Sequence, residues 1–336
     1  MPDFSGYKGK KVLVTGHTGF KGTWLCKELL LAGAKVIGVS VDVPTTPSLY
    51  EASGISGVIT DLRLDIRDFD SMLEIFKQYR PEMVFHLAAQ ALVREGYENP
   101  RETYETNLMG TVNVLECIRR TPSVKTFINV TTDKVYANSE EGILSETDVL
   151  DGMDPYSNSK SCSELATWTY WRSFPELKSL GFATLRAGNT IGGGDFGENR
   201  IIPDCIKAAR ASQVLEVRNP RGNRPYQHVL DAVDAYLEIG LKLEDNPELS
   251  GAYNIGPAYG STTTEDLVNL FKEVWEEKTG EGFQWKAGEQ PEVIKETEKL
   301  ELDCSLAEKT FGLKLETPLK KAVEDAVNFI IDMDKE

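Results

Sequence analysis

The chain has 336 residues, enough for one large α/β domain with a smaller lobe or for two domains, and its net charge of −16 argues against nucleic acid or an anionic membrane surface as a partner. The first residues lack the apolar core of a signal peptide, and no apolar run approaches the ~20 residues that a membrane span needs. Five scattered cysteines without a CxxC pair indicate reduced thiols in a cytoplasmic protein, and the three histidines show no metal-site spacing.

The first predicted unit is a strand, a glycine turn and a helix. Residues 11–15 form a short β-branched run, and the pattern from Trp24 to Leu31 has helical periodicity. This order predicts a dinucleotide-binding turn, in which the first glycine allows the tight turn, the second lets the backbone approach a pyrophosphate, and the third permits close helix–strand packing. The candidate cofactor contacts here are Gly16, His17, Thr18, Gly19, Phe20, Lys21 and Gly22.

The second predicted strand, residues 35–41, leads to the position where an acidic residue would bind the adenosine ribose. Asp42 is the acid found there, and Ser40 is the other candidate. Residues 36–48 contain no arginine or lysine, so a 2′-phosphate would find no partner and NAD is favoured over NADP. Lys21 leaves the alternative open, because it begins the first helix and could reach that phosphate.

The strand–helix alternation then continues. We predict strands over residues 58–64 and 83–87, and helices over residues 68–79 and 102–120. Strands about 25 residues apart, separated by helices, predict a parallel, doubly wound sheet. His86 lies within an apolar strand, and we interpret it as a core histidine rather than a ligand. Residues placed to contact the cofactor at the two strand exits are Asp65, Ile66, Leu87, Ala88, Ala89 and Gln90.

The most informative stretch is residues 126–160. A buried strand ends in Thr132, Asp133 and Lys134, at the sheet edge where open α/β sheets bind ligands. A helix starts at Asp154-Pro155, and Tyr156 and Lys160 share one face of its first turns. A nearby ammonium and the positive helix end would move the pKa of Tyr156 toward neutrality, as a general base for a sugar hydroxyl. The alternatives without a catalytic role are a solvated Tyr–Lys pair on a helix and a surface ion pair between Asp133 and Lys134.

The C-terminal part has a different pattern. A strand over 181–185 leads to a glycine-rich loop that begins near Asn189, after which short elements of mixed spacing predict a smaller lobe. Three arginines, Arg218, Arg221 and Arg224, recur at intervals of three and suggest a diphosphate clamp, with a solvated basic loop as the alternative. We expect a last core strand over 252–255 and a closing helix over 317–332.

Taken together, these motifs resemble a known family. TGxxGxxG, TTDK, YxxxK and RPYQHV are similar to the extended short-chain dehydrogenases that act on nucleotide sugars. Within that group, the longer segments GHTGFKGTWL, TTDKVY, DPYSNSK, LRAGNTIGGGDF and RPYQHV resemble the CDP-glucose 4,6-dehydratases over nearly the whole chain. The dTDP-glucose dehydratases have Thr-Asp-Glu where this chain has Thr132-Asp133-Lys134, a departure shared with the CDP-glucose enzymes.

The resemblance implies a Rossmann-type domain over 1–187 plus about 225–256, and a nucleotide-sugar lobe over 188–224 and 257–336. It implies NAD as cofactor, a nucleotide sugar as substrate, and a homodimer or homotetramer pairing through 102–120 and 156–173. The catalytic residues it implies are Thr132, Asp133, Lys134, Tyr156 and Lys160, with Asn107 added to the cofactor contacts. The substrate contacts it implies are Asn189, Arg200, Ile201, Arg218, Arg224 and Glu292.

The expected reaction uses a temporary oxidation. Tyr156 would take the 4-hydroxyl proton while C4 is oxidised, which makes the proton at C5 acidic. Lys134 must be neutral to remove that proton, and Asp133 must hold a proton to give to the departing 6-oxygen. A 4-epimerase of the same fold would leave Asp133 and Lys134 without a role, and a non-catalytic dinucleotide-binding protein would need neither Tyr156 nor Lys160.

Overall fold

The computed structural model describes residues 3–137, 142–288 and 299–335. Seven strands form the main sheet: β1 Lys11–Thr15, β2 Lys35–Ser40, β3 Thr60–Arg63, β4 Met83–His86, β5 Thr126–Val130, β6 Gly181–Ala187 and β11 Gly251–Ile255. Six short strands form three separate pairs: β7 Thr190–Ile191, β8 Leu215–Val217, β9 Asn223–Arg224, β10 Gln227–His228, β12 Thr262–Thr263 and β13 Trp285–Ala287.

The helices alternate with the strands of the main sheet. The α-helices are α1 Phe20–Leu31, α2 Leu49–Ser53, α3 Phe69–Tyr79, α4 Val93–Glu98, α5 Pro100–Tyr104, α6 Gly110–Arg119, α7 Pro155–Ser173, α8 Ile201–Arg210, α9 Val229–Asp245, α10 Thr264–Thr279, α11 Ser305–Phe311 and α12 Leu319–Met333. A π-helical turn, Glu105–Met109, joins α5 to α6, and short 3-10 turns lie at Ser5–Tyr7, Ile55–Gly57, Asp133–Val135, Pro175–Leu177 and Pro247–Leu249. None of the helices in the described ranges is long and apolar enough to span a bilayer.

The main sheet has the order β11-β6-β5-β4-β1-β2-β3, and every pairing in it is parallel. The chain winds outward from β1 in one direction and returns to continue from β4 in the other, so the predicted doubly wound sheet is confirmed. The order switches between β1 and β4, and in such sheets ligands bind outside the carboxyl ends of the strands at that point.

Local sequence explains most element boundaries. Side chains of Asp68 and Asp154 accept hydrogen bonds from the first-turn amides of α3 and α7, and Pro155 opens α7. The predicted boundaries are close, although β2 ends at Ser40, one residue early, and β3 begins at Thr60 rather than at residue 58. The single predicted helix over 102–120 is interrupted by the π-helical turn, which periodicity does not reveal.

Hydrophobic clusters cover both faces of the sheet and a third lies in the C-terminal segments. The central strands are buried. For example, Phe127 on β5 and Phe182 on β6 are fully buried and their rings pack together. The third cluster joins α8, α10 and α12, and includes Phe271 and Val323. All five cysteines are free; Cys26, Cys117 and Cys205 are buried, and Cys162 and Cys304 are half-buried.

Candidate active site

The glycine turn after β1 forms a cradle of closely packed backbone between the exit of β4 and the start of α1. Gly16 has a φ of +75°, and a Cβ there would lie 2.6 Å from the Ala88 nitrogen at the exit of β4. A Cβ at Gly22 would lie 2.0 Å from the Gly16 oxygen, so α1 approaches the turn as closely as a backbone can. The amides at the start of α1 therefore face the sheet edge, in the arrangement that binds a pyrophosphate.

His17 points away from this cradle, beneath β2. Its ring is fully buried, with Nδ1 2.9 Å from Ser40 Oγ and Nε2 3.0 Å from Asp61 Oδ1. A Cβ on Gly38 would overlap the ring at 2.5 Å, so the glycine in β2 makes room for it. Burial lowers the pKa of His17, and the neutral ring joins β2 to β3. Because both ring nitrogens of His17 are bonded within the protein, only the backbone of His17 is available to contact a cofactor.

Among the two ribose candidates, Ser40 is buried on His17, and Asp42 is exposed. The Asp42 carbonyl accepts a hydrogen bond from Thr18 Oγ1 at 2.6 Å, which fixes the chain just beyond β2. Asp65 is half-buried and pairs with Arg67 at 2.6 Å, and Ile66 is buried. All four lie at or just beyond the carboxyl ends of β2 and β3.

One side chain, Asn107, joins the exit of β4 to α7. Asn107, in the π-helical turn, accepts from the Gln90 amide at 2.8 Å and donates to the Gln90 carbonyl at 2.9 Å. It also donates to Ser159 Oγ at 2.9 Å, and Ser159 donates to the Tyr156 carbonyl. Asn107 therefore holds the strand exit through Leu87, Ala88, Ala89 and Gln90 against α7.

His86 is a core histidine, as predicted. It is fully buried on β4, with Nδ1 2.7 Å from Thr15 Oγ1 and Nε2 3.0 Å from Thr111 Oγ1. Burial lowers its pKa to about 3, so it stays neutral.

The structure brings the candidate catalytic groups after β5 together. Thr132 Oγ1 donates to Asp133 Oδ1 at 2.9 Å, and Lys134 Nζ lies 2.9 Å from the same oxygen. Lys134 also donates to Asn189 Oδ1 at 3.3 Å, which brings in the loop after β6. Asp133 is buried, and its Oδ2 has no hydrogen-bond partner among the described residues. An acid and an amine thus share one contact at the sheet edge.

Tyr156 and Lys160 lie on α7, with Tyr156 beside this pair. The Tyr156 hydroxyl hydrogen-bonds with Thr132, and Lys160 Nζ donates to the Val130 carbonyl at 2.9 Å. The expected lowering of the Tyr156 pKa is wrong for this structure: burial raises it to about 12, and the Thr132 hydrogen bond opposes that only in part. Burial lowers the pKa of Lys160 to about 8, with a contribution from Lys21. Burial penalises each charged form, which sequence spacing cannot register.

Lys21 faces the catalytic groups. Burial lowers its pKa to about 8, repulsion from Arg200 adds to that lowering, and attraction to Asp133 opposes it. The amine of Lys21 therefore interacts with the charges of both Arg200 and Asp133. Arg200 is itself paired with Asp195 at 3.0 Å, just before α8.

The remaining substrate candidates are spread over the C-terminal segments. Arg218 follows β8 and is half-buried, Arg224 lies in β9 and is buried, and Arg221 is exposed in the turn between them. Ile201 is the first residue of α8. Glu292 lies outside the described residues.

Sequence reasoning missed a buried carboxylate close to the site. Glu164 lies on α7 four residues after Lys160, and the guanidinium of Arg186 on β6 binds it at 2.7 Å. Both side chains are buried. The repeated four-residue spacing of Tyr156, Lys160 and Glu164 was the available signal, since it places all three along one face of the helix.

The fold and this site define a doubly wound dinucleotide-binding protein with a Tyr–Lys pair and an acid–amine pair at one sheet edge. Residues 12–256 match the NAD dependent epimerase/dehydratase family. The CDP-glucose 4,6-dehydratase of Salmonella typhimurium is 39% identical over 320 residues, covering 93% of this chain and 88% of the relative. The chain belongs to the NAD dependent epimerase/dehydratase family.

More distant similarities agree with this assignment. A UDP-glucose 4-epimerase of Lacticaseibacillus casei is 25% identical over 307 residues, covering 86% of this chain and 88% of the relative. The crystal structure of a Thermotoga maritima UDP-glucose 4-epimerase with UDP-glucose has a TM-score of 0.82 at 24% identity, covering 96% and 99% of the two chains. A Bacillus anthracis dTDP-glucose 4,6-dehydratase in complex with NAD has a TM-score of 0.80 at 19% identity, covering 97% and 98%. At these identities the two structures show the shared fold.

Proposed function

We propose that this protein is an NAD-dependent hydro-lyase that converts CDP-glucose to CDP-4-dehydro-6-deoxy-glucose and water. The observation that carries the proposal is the contact between Asp133 and Lys134 beside Tyr156. Oxidation at C4 needs one proton acceptor, which is Tyr156. Dehydration needs an acid and a base in addition. The 39% identity to a CDP-glucose 4,6-dehydratase supports the same reaction. Dehydration of a dTDP-, UDP- or GDP-sugar is the nearest alternative.

The residues present fit NAD. The cradle between Gly16, Gly22 and Ala88 has no space for a Cβ, as a turn that admits a pyrophosphate requires. We assign the pyrophosphate to the start of α1, the adenosine to the region of Ser40, Asp42 and Asp65, and the nicotinamide end to the side of Tyr156 and Lys160. When bound, NAD supplies the hydride acceptor for C4 and the hydride donor for C6.

Tyr156 is assigned the first proton transfer. Its hydroxyl hydrogen-bonds with Thr132, so Thr132 can orient it toward the 4-hydroxyl of the sugar. With a pKa of about 12 the phenol is protonated in the free protein, so it must first release its own proton to solvent before, as a phenolate, it can accept the proton of the 4-hydroxyl. Lys160 donates a hydrogen bond to the Val130 carbonyl, which fixes the first turns of α7 against the end of β5. Its ammonium also places a positive charge near Tyr156.

Lys134 and Asp133 are assigned the elimination. Once C4 is a carbonyl, the C5 proton is acidic enough for an amine, and Lys134 removes it. Asp133 gives a proton to the departing 6-oxygen, so that water leaves rather than hydroxide. Asn189 holds Lys134 from the other side, which limits the positions its amine can take.

A 4-epimerase remains the rival within the family. It needs Tyr156 and Lys160 but has no use for a buried acid paired with an amine. The experiment that decides is incubation of the purified protein with CDP-, dTDP-, UDP- and GDP-glucose, with product analysis by mass spectrometry and by proton NMR, which distinguishes a 4-epimer from unreacted substrate. Loss of 18 mass units (one water) from CDP-glucose alone supports the proposal, and a 4-epimer of unchanged mass would overturn it.

Isotope labelling tests the hydride path. With CDP-glucose deuterated at C4, we expect the label at C6 of the product and no net accumulation of NADH. Label lost to solvent would contradict the return of the same hydride.

We further propose that residues 1–187 with about 225–256 hold the cofactor, and that 188–224 with 257–336, including Asn189, Arg200, Ile201, Arg218, Arg224 and Glu292, hold the nucleotide sugar. We propose a cytoplasmic homodimer or homotetramer that serves deoxysugar and lipopolysaccharide synthesis. Met109 and Leu165, each half-exposed on the helices after β4 and β5, support pairing through that face. Light scattering on Met109→Asp and Leu165→Asp variants tests it, since a monomer is then expected.

A further inference from the structure

A buried ion pair lies directly behind the catalytic segment. Glu164 on α7 has no exposed surface, and Arg186 on β6 is nearly as buried. Arg186 Nε lies 3.1 Å and 3.0 Å from the two carboxylate oxygens, and Nη2 lies 2.7 Å from Oε2. Removing two charges from water costs several kcal/mol per ion before their attraction is counted, so such a pair is weak as a stabilising device. Its location suggests a different use.

The carboxylate also receives two hydroxyls, one on each oxygen. Thr131 Oγ1 donates to Oε1 at 2.5 Å, and Thr184 Oγ1 donates to Oε2 at 3.2 Å. Thr184 lies in the middle of β6. Thr131, in contrast, is the first residue after β5 and immediately precedes Thr132.

Thr131 is the point where the chain leaves the sheet. Its amide donates to the Leu185 carbonyl at 2.9 Å, which is the last sheet-like contact before the chain turns into Asp133–Val135. At its far end the turn is held by the bridge between Tyr136 and Leu150 and by the hydrogen bond from Ser161 Oγ to the Val135 carbonyl. At its near end the direction of the turn depends on how Thr131 is held. A charged acceptor gives a stronger hydrogen bond than a neutral one, so Glu164 holds Thr131 firmly.

We propose that Glu164 is a positioning residue: through the Thr131 hydroxyl it fixes the turn that presents Thr132, Asp133 and Lys134 to the sugar. Arg186, through its hydrogen bonds to both carboxylate oxygens, holds the Glu164 carboxylate in place beside Thr131. This inference rests on the proposed dehydratase function, since it assigns the turn the elimination step.

Thr131→Val tests the inference, because it keeps the shape and the backbone contact but removes the hydroxyl donor. We expect kcat on CDP-glucose to fall about 10- to 100-fold with KM within about twofold, since displaced catalytic groups lose rate rather than ground-state binding. Elimination should slow more than oxidation, so NADH should accumulate in a single turnover. Thr131→Ser should restore kcat.

Thr184→Val is the matched control. It removes the other hydroxyl from the same carboxylate but touches no catalytic segment, so kcat should stay near the wild-type value. An equal loss of kcat in Thr184→Val and Thr131→Val would overturn the proposal, because the effect would then be general to the ion pair. So would an unchanged kcat in Thr131→Val. Thr131→Ala provides a second variant without the hydroxyl if the valine prevents folding.

Amide hydrogen exchange separates this inference from the proposed function. It needs no substrate, and we expect faster exchange over residues 132–135 in Thr131→Val than in Thr184→Val or the wild type. If the wild type converts no nucleotide sugar, the proposed function fails while the exchange result still decides whether Glu164 fixes the turn. Equal exchange in the three proteins contradicts the inference whatever the activity.

Discussion

The amine of Lys134 lies 2.9 Å from Asp133 Oδ1, and within the described part of the chain the second oxygen of Asp133 is buried without a hydrogen-bond partner. In the ion-paired form, Lys134 holds the proton and Asp133 lacks one, which is the reverse of what elimination needs. Transfer of a single proton across this contact gives a neutral amine and a protonated acid together. Exclusion of water by a bound sugar favours that neutral form, because burial penalises two charges more than two dipoles. In the proposed dehydration, this one transfer would supply both the acid and the base.

Lys134→Met should block elimination but leave C4 oxidation. The variant lacks the base for C5, so we expect kcat for dehydration to fall about 10²- to 10⁴-fold, the usual contribution of a positioned base. NADH should build up in the presence of CDP-glucose, and the near-ultraviolet absorbance of the reduced nicotinamide measures it. Lys286→Met is the control, because Lys286 is exposed on β13 and pairs with Glu216 on the neighbouring β8. Normal dehydration by Lys134→Met would exclude Lys134 as the base.

Asp133→Asn should be rescued by a better leaving group. The amide keeps the size of the side chain but cannot protonate the 6-oxygen, so we expect a loss of about 10²- to 10⁴-fold on CDP-glucose. A 6-deoxy-6-fluoro analogue loses fluoride without prior protonation, so the variant should process it at a rate near that of the wild type. Fluoride release, followed with an ion-selective electrode, checks this. An equal deficit on both substrates would assign Asp133 a structural role.

Much of this arrangement could be predicted because it depends on local order. Strand, glycine turn and helix follow one another within 21 residues, from Lys11 to Leu31, and their order alone identifies a dinucleotide-binding turn. Asp133 follows β5 and Asn189 follows β6, and parallel neighbouring strands bring their carboxyl ends to one edge. The meeting of these residues therefore follows from topology.

What could not be predicted depends on contacts between distant segments. His17 is fixed by Asp61, 44 residues away along the chain, and Glu164 is fixed by Arg186 in another element. The pKa of Tyr156 was expected to fall because spacing shows the neighbouring lysine, whereas burial, which raises it, is a property of the assembled fold. The π-helical turn around Asn107 likewise leaves no trace in an otherwise helical pattern.

Gly22→Ala should abolish cofactor binding. The new Cβ would lie 2.0 Å from the Gly16 oxygen, and neither backbone can yield without moving α1 away from the turn. We expect a loss of roughly 3 kcal/mol or more in the free energy of unfolding, in the range of severe packing conflicts, and no measurable NAD binding by calorimetry. Gly57→Ala is the control, since its Cβ meets nothing within 4 Å. Unchanged NAD affinity in Gly22→Ala would contradict the assignment of the pyrophosphate to this turn.

Lys160→Met should be inactive yet more stable than the wild type near neutral pH. Burial lowers the pKa of Lys160 to about 8 from 10.5, so between these values the unfolded chain binds more protons than the folded one and wild-type stability rises with pH. Below about pH 8 the buried amine is charged, and its burial lowers the free energy of unfolding by roughly 3 kcal/mol, since each unit of pKa difference corresponds to about 1.36 kcal/mol. The variant avoids this penalty but loses the hydrogen bond to Val130, worth about 1 kcal/mol.

We therefore expect Lys160→Met to be more stable by about 1–3 kcal/mol near pH 7, with the advantage disappearing as the pH approaches that of a free lysine. Urea unfolding at about pH 7, 9 and 10 measures the difference. Lys77→Met is the control, because Lys77 is exposed and pairs only with Glu74 among the described residues, so its effect should not vary with pH in this window. A stability difference for Lys160→Met that is independent of pH would show that Lys160 is not buried as a charge. An active enzyme with that variant would remove Lys160 from the site altogether.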